Sequence, residues 1–252
     1  MKKITFEDIY TLGNIAAENT HYRHFHYPEM LTRYDSNFIE FKTLPSLKEF
    51  KEVENYLSDY HLNRGQKHVK FYFPANIKPT GELSKYLTAM DYEIGYLELY
   101  AIQPEHFPPI RNNSDIDIQV VTDKNLEVLL DLRYKNDLEF GTEFAKQKVD
   151  LIKRQFEDQD IQQVLAFYMG SPAGYVDVII SDETVEIDDL TVDESSRNKG
   201  IGSSLQNFVM ESFSKKVVIL VADGEDTPRE MYKKQNYKYH GFKYEVQKTY
   251  QD

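Results

Sequence analysis

The second half of the chain carries the clearest hydrophobic rhythm. Apolar and polar positions alternate over 116–121, a helical period follows over about 123–139 and again over 142–157, and alternation returns over 163–169 and 174–181. This pattern predicts a strand, two helices and two more strands. Gly170-Ser171-Pro172-Ala173-Gly174 separates the last two and predicts a hairpin turn. A strand over 185–192 then leads through Asp193-Glu194-Ser195-Ser196 into a helix near 200–214, a strand over 216–222, a helix over 227–236 and a last strand near 237–247.

The first half ends in a similar order, with strand 37–43, helix 46–63, strand 68–73, helix 80–90 and strand 92–102. The strand starts at 37 and 68 are as far apart as those at 185 and 216, so two copies of one βαβαβ unit are expected, although their residues barely match. Between the copies, the segment 103–114 is rich in proline and polar residues and has neither structural period. Two readings fit it: a linker between domains at 1–110 and 115–252, or a surface crossover within one mixed sheet. On both readings the fold class is α/β (α+β) with a mixed sheet.

Composition narrows the function classes. The chain has 252 residues, 40% of them hydrophobic, which is ample for a packed core. It has no cysteine, which excludes disulfide frameworks, thiolate metal sites and cysteine nucleophiles. A formal net charge of -12 argues against nucleic acid as a partner, since phosphate neutralisation needs a basic surface, and suits cationic acceptors instead. The start Met1-Lys2-Lys3-Ile4-Thr5-Phe6-Glu7-Asp8 turns acidic, so a secretory signal is not expected. No apolar run approaches the roughly 20 residues that span a bilayer. The expectation is a cytoplasmic monomer or homodimer with no membrane partner.

The segment from Glu186 to Ser203 reads as a strand, a polar loop and a helix start. A helix start carries unpaired N–H donors and roughly half a positive charge, so a diphosphate can sit on it. Gly200 and Gly202 carry no side chain to hold phosphates off the backbone, and Arg197 and Lys199 add local positive charge. Tight turns use glycine for conformational reasons alone, which is the competing reading. The dinucleotide pattern G-x-G-x-x-G fails because Leu205 holds the third glycine position, and G-x-x-x-x-G-K-[ST] fails for want of its lysine.

Arg197-Asn198-Lys199-Gly200-Ile201-Gly202 matches the [RQ]-x-x-G-x-[GA] signature of the GNAT superfamily of N-acetyltransferases, after the apolar strand end Leu190-Thr191-Val192. Downstream, Pro228-Arg229-Glu230-Met231-Tyr232-Lys233-Lys234-Gln235-Asn236-Tyr237 resembles the superfamily's helix that ends in a tyrosine and then K-x-G-[FY]. Asn236 replaces the glycine and, as the next-best left-handed residue, keeps the cap. Glu225 and Asp226 stand where many members carry an asparagine that touches the pantetheine arm, a departure from the pattern. The resemblance covers about 115–247. The first half resembles the superfamily in element order alone: Lys42-Thr43-Leu44-Pro45-Ser46-Leu47 has no glycine pair, which implies a degenerate unit that does not bind acetyl-CoA. The implied fold is GNAT, as two tandem units with splayed central strands.

The resemblance further implies direct attack of an amine on the thioester of acetyl-CoA, which fits the absence of cysteine because no acyl-enzyme is needed. It assigns the cosubstrate to Leu190, Thr191, Val192, Arg197, Asn198, Lys199, Gly200, Ile201, Gly202 and Ser203, with Val192 or its neighbours polarising the acetyl carbonyl. Tyr232 would protonate or hydrogen-bond the departing thiolate. Its ordinary explanation is packing, since the chain has 19 tyrosines. Glu186 would be the general base, with Asp188 and Asp189 as competitors because a bulge in this strand changes which side chains face the substrate. Without a base, an amine near pKa 10.4 stays protonated at neutral pH.

His21, His24 and His26 lie within one aromatic stretch but match no familiar ligand spacing, so the stretch reads as a loop packed on the first half, with lining of an acceptor pocket as a further use, and no metal is expected. Lys233 and Lys234, like Lys215 and Lys216, fall near helix ends, where cations complement the dipole. Two functions stay open: an acetyltransferase acting on a small-molecule amine, with a protein amine as the alternative acceptor, or a non-catalytic acyl-CoA-binding regulatory or interaction protein.

Overall fold

The computed structural model describes residues 3–225 and 228–250. In chain order its elements are β1 (Asn14–Glu18), β2 (Tyr22–His26), β3 (Phe38–Phe41), α1 (Leu47–Leu62), β4 (His68–Tyr72), α2 (Gly81–Ala89), β5 (Glu93–Ile102), β6 (Ile116–Val120), α3 (Leu126–Asp137), α4 (Thr142–Phe156), β7 (Ile161–Tyr168), β8 (Ser171–Ile180), β9 (Thr184–Val192), α5 (Ile201–Ser212), β10 (Val217–Asp223), α6 (Pro228–Lys234) and β11 (Lys238–Thr249). Both expected βαβαβ runs are present, as β3-α1-β4-α2-β5 and β9-α5-β10-α6-β11, and in each the first two strands pair in parallel. Parallel neighbours need a crossover, which α1 and α5 supply.

The chain divides into two units. Unit 1 comprises Met1–Tyr10, Tyr100–Val221 and Arg229–Tyr239; unit 2 comprises Thr11–Leu99, Ala222–Pro228 and His240–Asp252. These are not the contiguous stretches 1–110 and 115–252. The difference comes from strand insertion: Glu245 to Thr249 of β11 pair antiparallel with Tyr72 to His68 of β4. Val246 is fully buried there, in the unit 2 core with Phe41, Phe50, Phe71, Phe73 and Leu87. A division made along the sequence cannot anticipate so distant a pairing.

Unit 2 has the strand order β1-β2-β3-β4-β11-β5. Its helix α1 opens on a capping box: the Ser46 hydroxyl accepts from Glu49 N–H, and the Glu49 carboxylate accepts from Ser46 N–H at 2.7 Å. Phe50 and Leu57 on one face of α1 are completely buried. The stretch read as an aromatic loop is strand β2, antiparallel to both β1 and β3. Strand alternation points His24 into the unit, where it joins His61 and His68, all three with no exposed surface. The ring centroids of His24 and His61 are 6.2 Å apart, and those of His61 and His68 are 4.6 Å apart. His61 Nδ1 lies 2.7 Å from the His68 carbonyl and His68 Nε2 lies 3.1 Å from the Asn37 carbonyl, so each of these nitrogens is the donor of a neutral ring. Among the described residues their other nitrogens, and His24 Nε2, have no hydrogen-bond partner. Among the described residues no group of three or more His, Cys, Asp or Glu is placed to hold a metal ion.

Unit 1 has the order β10-β9-β8-β7-β6. Helices α3 and α4 pack Leu129, Leu130 and Ile152 against Leu165 of β7 and Tyr175 of β8. The hairpin between β7 and β8 turns on two residues, Met169 (φ 50) and Gly170 (φ 82), with Tyr168 opposite Ser171. Two left-handed residues match the twist of the flanking strands, so the turn is tighter than the expected 170–174, and Ser171 to Gly174 belong to β8. No described helix is long and apolar enough to cross a membrane.

Candidate active site

The site grows from one opening in the unit 1 sheet. Strands β9 and β10 pair in parallel from Thr184 opposite Val217 to Glu186 opposite Ile219. Among the described residues the pairing ends there, whereas β9 continues to Val192 and β10 to Asp223. Strands that run on without pairing splay apart and expose backbone groups along their facing edges. On its other edge β9 stays paired with β8 through a bulge: Asp188 faces Asp177 and Thr191 faces Tyr175, three steps along β9 for two along β8. Asp189, inside the bulge, has φ 49, a left-handed conformation in a residue other than glycine.

Buried cations hold the bulge. Arg133 of α3, 1% exposed, donates to Asp177 at 2.7 Å, lies 3.6 Å from Asp189 through Nη1, and stacks its guanidinium 4.3 Å from the Tyr175 ring. Lys148 of α4 reaches Asp189 at 3.2 Å. Burial pushes the Asp177 carboxyl up to about 6, the Arg133 charge offsetting part of the shift and the Asp189 and Asp188 charges adding to it. Arg133→Met would leave Asp177 buried without its partner, a change that costs about 3–5 kcal/mol. Urea denaturation at pH 7.5 should register that loss in unit 1, and Lys148→Met, with the less buried Asp189 as its partner, should lose less.

Glu186 is 6% exposed, and its Oε2 accepts the Tyr10 N–H at 2.7 Å. Burial, reinforced by the Asp188 charge and opposed by the Tyr10 N–H, pushes its carboxyl up to about 8. Such a group can take and release a proton near neutral pH.

The loop after β9 is shaped by its side chains. Asp193 Oδ1 accepts from Ser195 N–H at 2.9 Å, and Asn198 (φ 63) and Gly200 (φ 91) are both left-handed. Helix α5 has no side-chain cap, and its first backbone bond runs from Ser204 N–H to the Gly200 carbonyl at 2.9 Å. The N–H groups of Ile201, Gly202 and Ser203 therefore precede the intrahelical ladder, as a diphosphate cradle requires. The Ile201 side chain is buried, so only its backbone can serve. A Cβ on Gly202 would lie 3.7 Å from Val192 and 3.8 Å from Leu190, so the first turn of α5 rests on the end of β9. Arg197 is largely exposed and only 4.0 Å from Glu194, while Lys199 bonds the Ser195 carbonyl at 3.0 Å and lies 4.5 Å over the Tyr168 ring.

Alternation along β9 settles where Val192 points. Asp193 N–H donates to the Ala173 carbonyl at 2.9 Å, and the Thr191 carbonyl faces Gly174, where a Cβ would be 2.7 Å away. Both residues thus turn their polar groups toward β8, and Val192 between them turns its N–H toward the splayed edge.

Tyr232 lies on α6. The helix closes with Tyr237 N–H donating to the Tyr232 carbonyl at 3.0 Å and Asn236 at φ 68, the left-handed cap that asparagine was expected to supply. The Tyr232 ring packs 5.1 Å from Tyr100 and 5.4 Å from Tyr237, and burial raises the pKa of its phenol. Among the described residues its hydroxyl makes no hydrogen bond. Tyr237 in turn donates from its hydroxyl to Gln206 Oε1 of α5 at 2.9 Å, fully buried. The two motifs are thereby joined through one tyrosine. Glu186 stands apart from them, four residues before Leu190, at most roughly 13 Å along an extended strand. Glu225 closes a turn on Asp223 at 2.9 Å, and Asp226 lies outside the described residues, as does Thr227 at the start of the expected helix.

Sequence reasoning passed over Tyr10, Arg133, Lys148, Asp177 and Gln206, and gave Tyr237 no partner. A signal existed for two of them. Arg133 shares the buried helix face of Leu129 and Leu130, and Asp177 interrupts the apolar run Tyr175-Val176-Asp177-Val178-Ile179. A lone cation and a lone anion on buried faces imply each other.

Comparison with known proteins gives the following. Residues 129–237 match the Acetyltransferase (GNAT) family, and residues 4–100 match a domain of unknown function (DUF5613). A crystal structure described as a functionally unknown conserved protein from Staphylococcus epidermidis ATCC 12228 is 35% identical over 98% of both chains, with a TM-score of 0.90. A GCN5-related N-acetyltransferase from Kribbella flavida is 12% identical, covering 94% of this chain and 89% of that one, with a TM-score of 0.61. A tandem GNAT protein from the clavulanic acid biosynthesis pathway is 10% identical over 85% of this chain and 76% of its own, with a TM-score of 0.54. The last two establish likeness of fold. No curated protein matches the chain.

Proposed function

Residues 129–237 belong to the GNAT acetyltransferase family, and on that footing we propose that the chain is an N-acetyltransferase that moves the acetyl group of acetyl-CoA directly onto a primary amine of a small molecule. The observation that carries this reading is the splay between β9 and β10, with the Val192 N–H turned toward it and the unpaired N–H groups of α5 at its end. The diphosphate lies on Ile201, Gly202 and Ser203, and Arg197 and Lys199 supply charge. The pantetheine arm extends along the open edge of β9.

The amine nitrogen attacks the thioester carbonyl. A C–N bond forms, the carbonyl oxygen takes up negative charge against the Val192 N–H, and the C–S bond then breaks to give the amide and the CoA thiolate. The ammonium proton passes to Glu186, directly or through water. Tyr232 donates its phenolic hydrogen bond to the thiolate. Because burial raises its pKa and a thiol ionises near 8.5, full transfer runs uphill, and the phenol acts by stabilising sulfur charge in a dry site.

Two variants test the assignment. Gly202→Leu sets a bulky side chain on the first turn of α5, beside Leu190 and Val192; calorimetric titration should find acetyl-CoA affinity lowered at least tenfold, with circular dichroism checking that the variant is folded. Unchanged affinity would remove the cradle from this loop. Tyr232→Phe should lower kcat by about 10²-fold and leave acetyl-CoA affinity within about twofold, since the hydroxyl acts on charge that develops in the reaction. Equal losses in both would make Tyr232 a packing residue.

A further inference from the structure

Unit 2 holds a concave site of about 410 Å³ bounded by β2, the connection from β3 to α1 and the first turns of α1. Its apolar walls are aromatic. Tyr22 and Tyr56 face each other with ring centroids 6.2 Å apart and planes inclined at 35°, and Phe41, nearly inaccessible, forms the floor as the cross-strand partner of Tyr22. Glu49, Glu52 and Tyr56 recur at helical spacing, so one face of α1 supplies both the carboxylates and the second ring.

The charges in this site are one-sided. Glu49 and Glu52 line it together with the His21 imidazole, and no lysine or arginine does. Glu49 is fixed by the capping box at Ser46 N–H. Glu52 is 3.9 Å from Lys48, but both side chains are mostly exposed, so that pair neutralises little. The Tyr56 ring is held by its hydroxyl, 3.0 Å from His24 Nδ1, and the Tyr22 backbone by its N–H, which donates to the Asn19 side chain at 2.9 Å. Tyr22 and Tyr56 also form the outer layer of the unit 2 core, but packing alone does not account for an open volume of this size beside them.

These features select among ligand classes. An anion meets two carboxylates, a neutral apolar molecule strips water from them without return, and a bare metal ion finds too few ligands among the described residues. A cation with an apolar body satisfies both parts of the site, through ring faces that attract positive charge and carboxylates beside them. We propose that this site in unit 2 binds an organic ammonium ion, its charged head against the Tyr22 and Tyr56 rings beside Glu49 and Glu52, its alkyl part on Phe41. Nothing in this assignment depends on acetyl transfer by unit 1.

The test is titration of the full chain, by calorimetry or by tyrosine ring shifts in NMR, with choline, spermidine and 3,3-dimethylbutan-1-ol, the neutral counterpart of choline. At least one of the two cations should bind saturably at millimolar concentration or below. The neutral alcohol should bind at least about tenfold more weakly than choline if choline is the ligand, and E49Q/E52Q should weaken the bound cation by at least about tenfold. Glutamine at position 49 keeps the capping box, and an unchanged melting temperature checks the fold. Should the double variant fail to fold, Glu52→Gln on the exposed helix face gives the same comparison with a loss of several-fold. Tyr22→Leu should also weaken binding several-fold. Absence of saturable binding by either cation, equal affinity for choline and its neutral counterpart, or affinity unmoved by the glutamine variants would overturn the proposal.

Discussion

Glu186→Gln should lower kcat by about 10²–10⁴-fold while acetyl-CoA still binds. The base form of this residue is the carboxylate, and burial places its pKa near 8, so at pH 7 only roughly a tenth of the protein is ready to accept a proton. Activity of the parent should therefore climb about tenfold between pH 7 and pH 9, apart from the ionisation of the amine itself. The glutamine variant should lose the inflection near 8. Stability should move the other way. A carboxyl whose pKa is raised on folding favours the folded state fully below its unfolded value near 4.5, and that contribution is lost as pH rises through 8. Relative to the parent, the variant should gain stability by about 1.4 kcal/mol per pH unit across that window, so lost turnover cannot be put down to misfolding. A variant that keeps the inflection would transfer the role to Asp188, which lies two residues along β9 and closer to Leu190.

Unit 2 should lose stability steeply in mild acid. Burial lowers the ring pKa to about 3 in His24, about 4 in His61 and about 3 in His68, with neighbouring imidazoles adding to the effect in all three. For a base, a pKa depressed on folding means that the unfolded chain takes up protons first. Stability is therefore full above the unfolded value near 6.5 and falls as pH drops toward the folded values. Between pH 7 and pH 5 each ring costs roughly 2 kcal/mol, and the three together roughly 4–6 kcal/mol, a large part of a domain's usual 5–15 kcal/mol. The raised carboxyls Glu186 and Asp177 slope the other way, but both lie in unit 1. Amide hydrogen exchange in β2, α1 and β4 at pH 7, 6 and 5 should report accelerating opening of unit 2. Constant protection across that range would mean that the rings find proton acceptors on folding.

What could be read from the sequence is local in origin. The strand-to-helix junction was legible because Gly200 stops the apolar alternation just before the helical period of α5, and the Asn236 cap because only a few residues tolerate φ near 68. Strand β9 was legible in its apolar run. The β1–β2 hairpin was missed because Tyr22 to His26 is aromatic and histidine-rich, without a polar alternation that separates strand from loop. The interleaving of the units was out of reach: the pairing of Val246 with Phe71 joins residues too far apart for any period or turn signal to record. The support of Glu186 by Tyr10 is equally distant, 176 residues away in the chain. Arg133 and Asp177 lay between these cases, each visible as a charge on a buried face but not visibly partners.

The central claim is catalytic transfer at the splay of β9 and β10. The most direct measurement is release of free thiol from acetyl-CoA by the unmodified protein, with and without a panel of polyamines, amino acids and aminoglycosides. The account predicts thiol release that depends on at least one primary amine and equals, mole for mole, the acetylated amine recovered. Tight acetyl-CoA binding with no acceptor-dependent release across the panel would contradict it, and would leave a protein that holds acyl-CoA without turning it over.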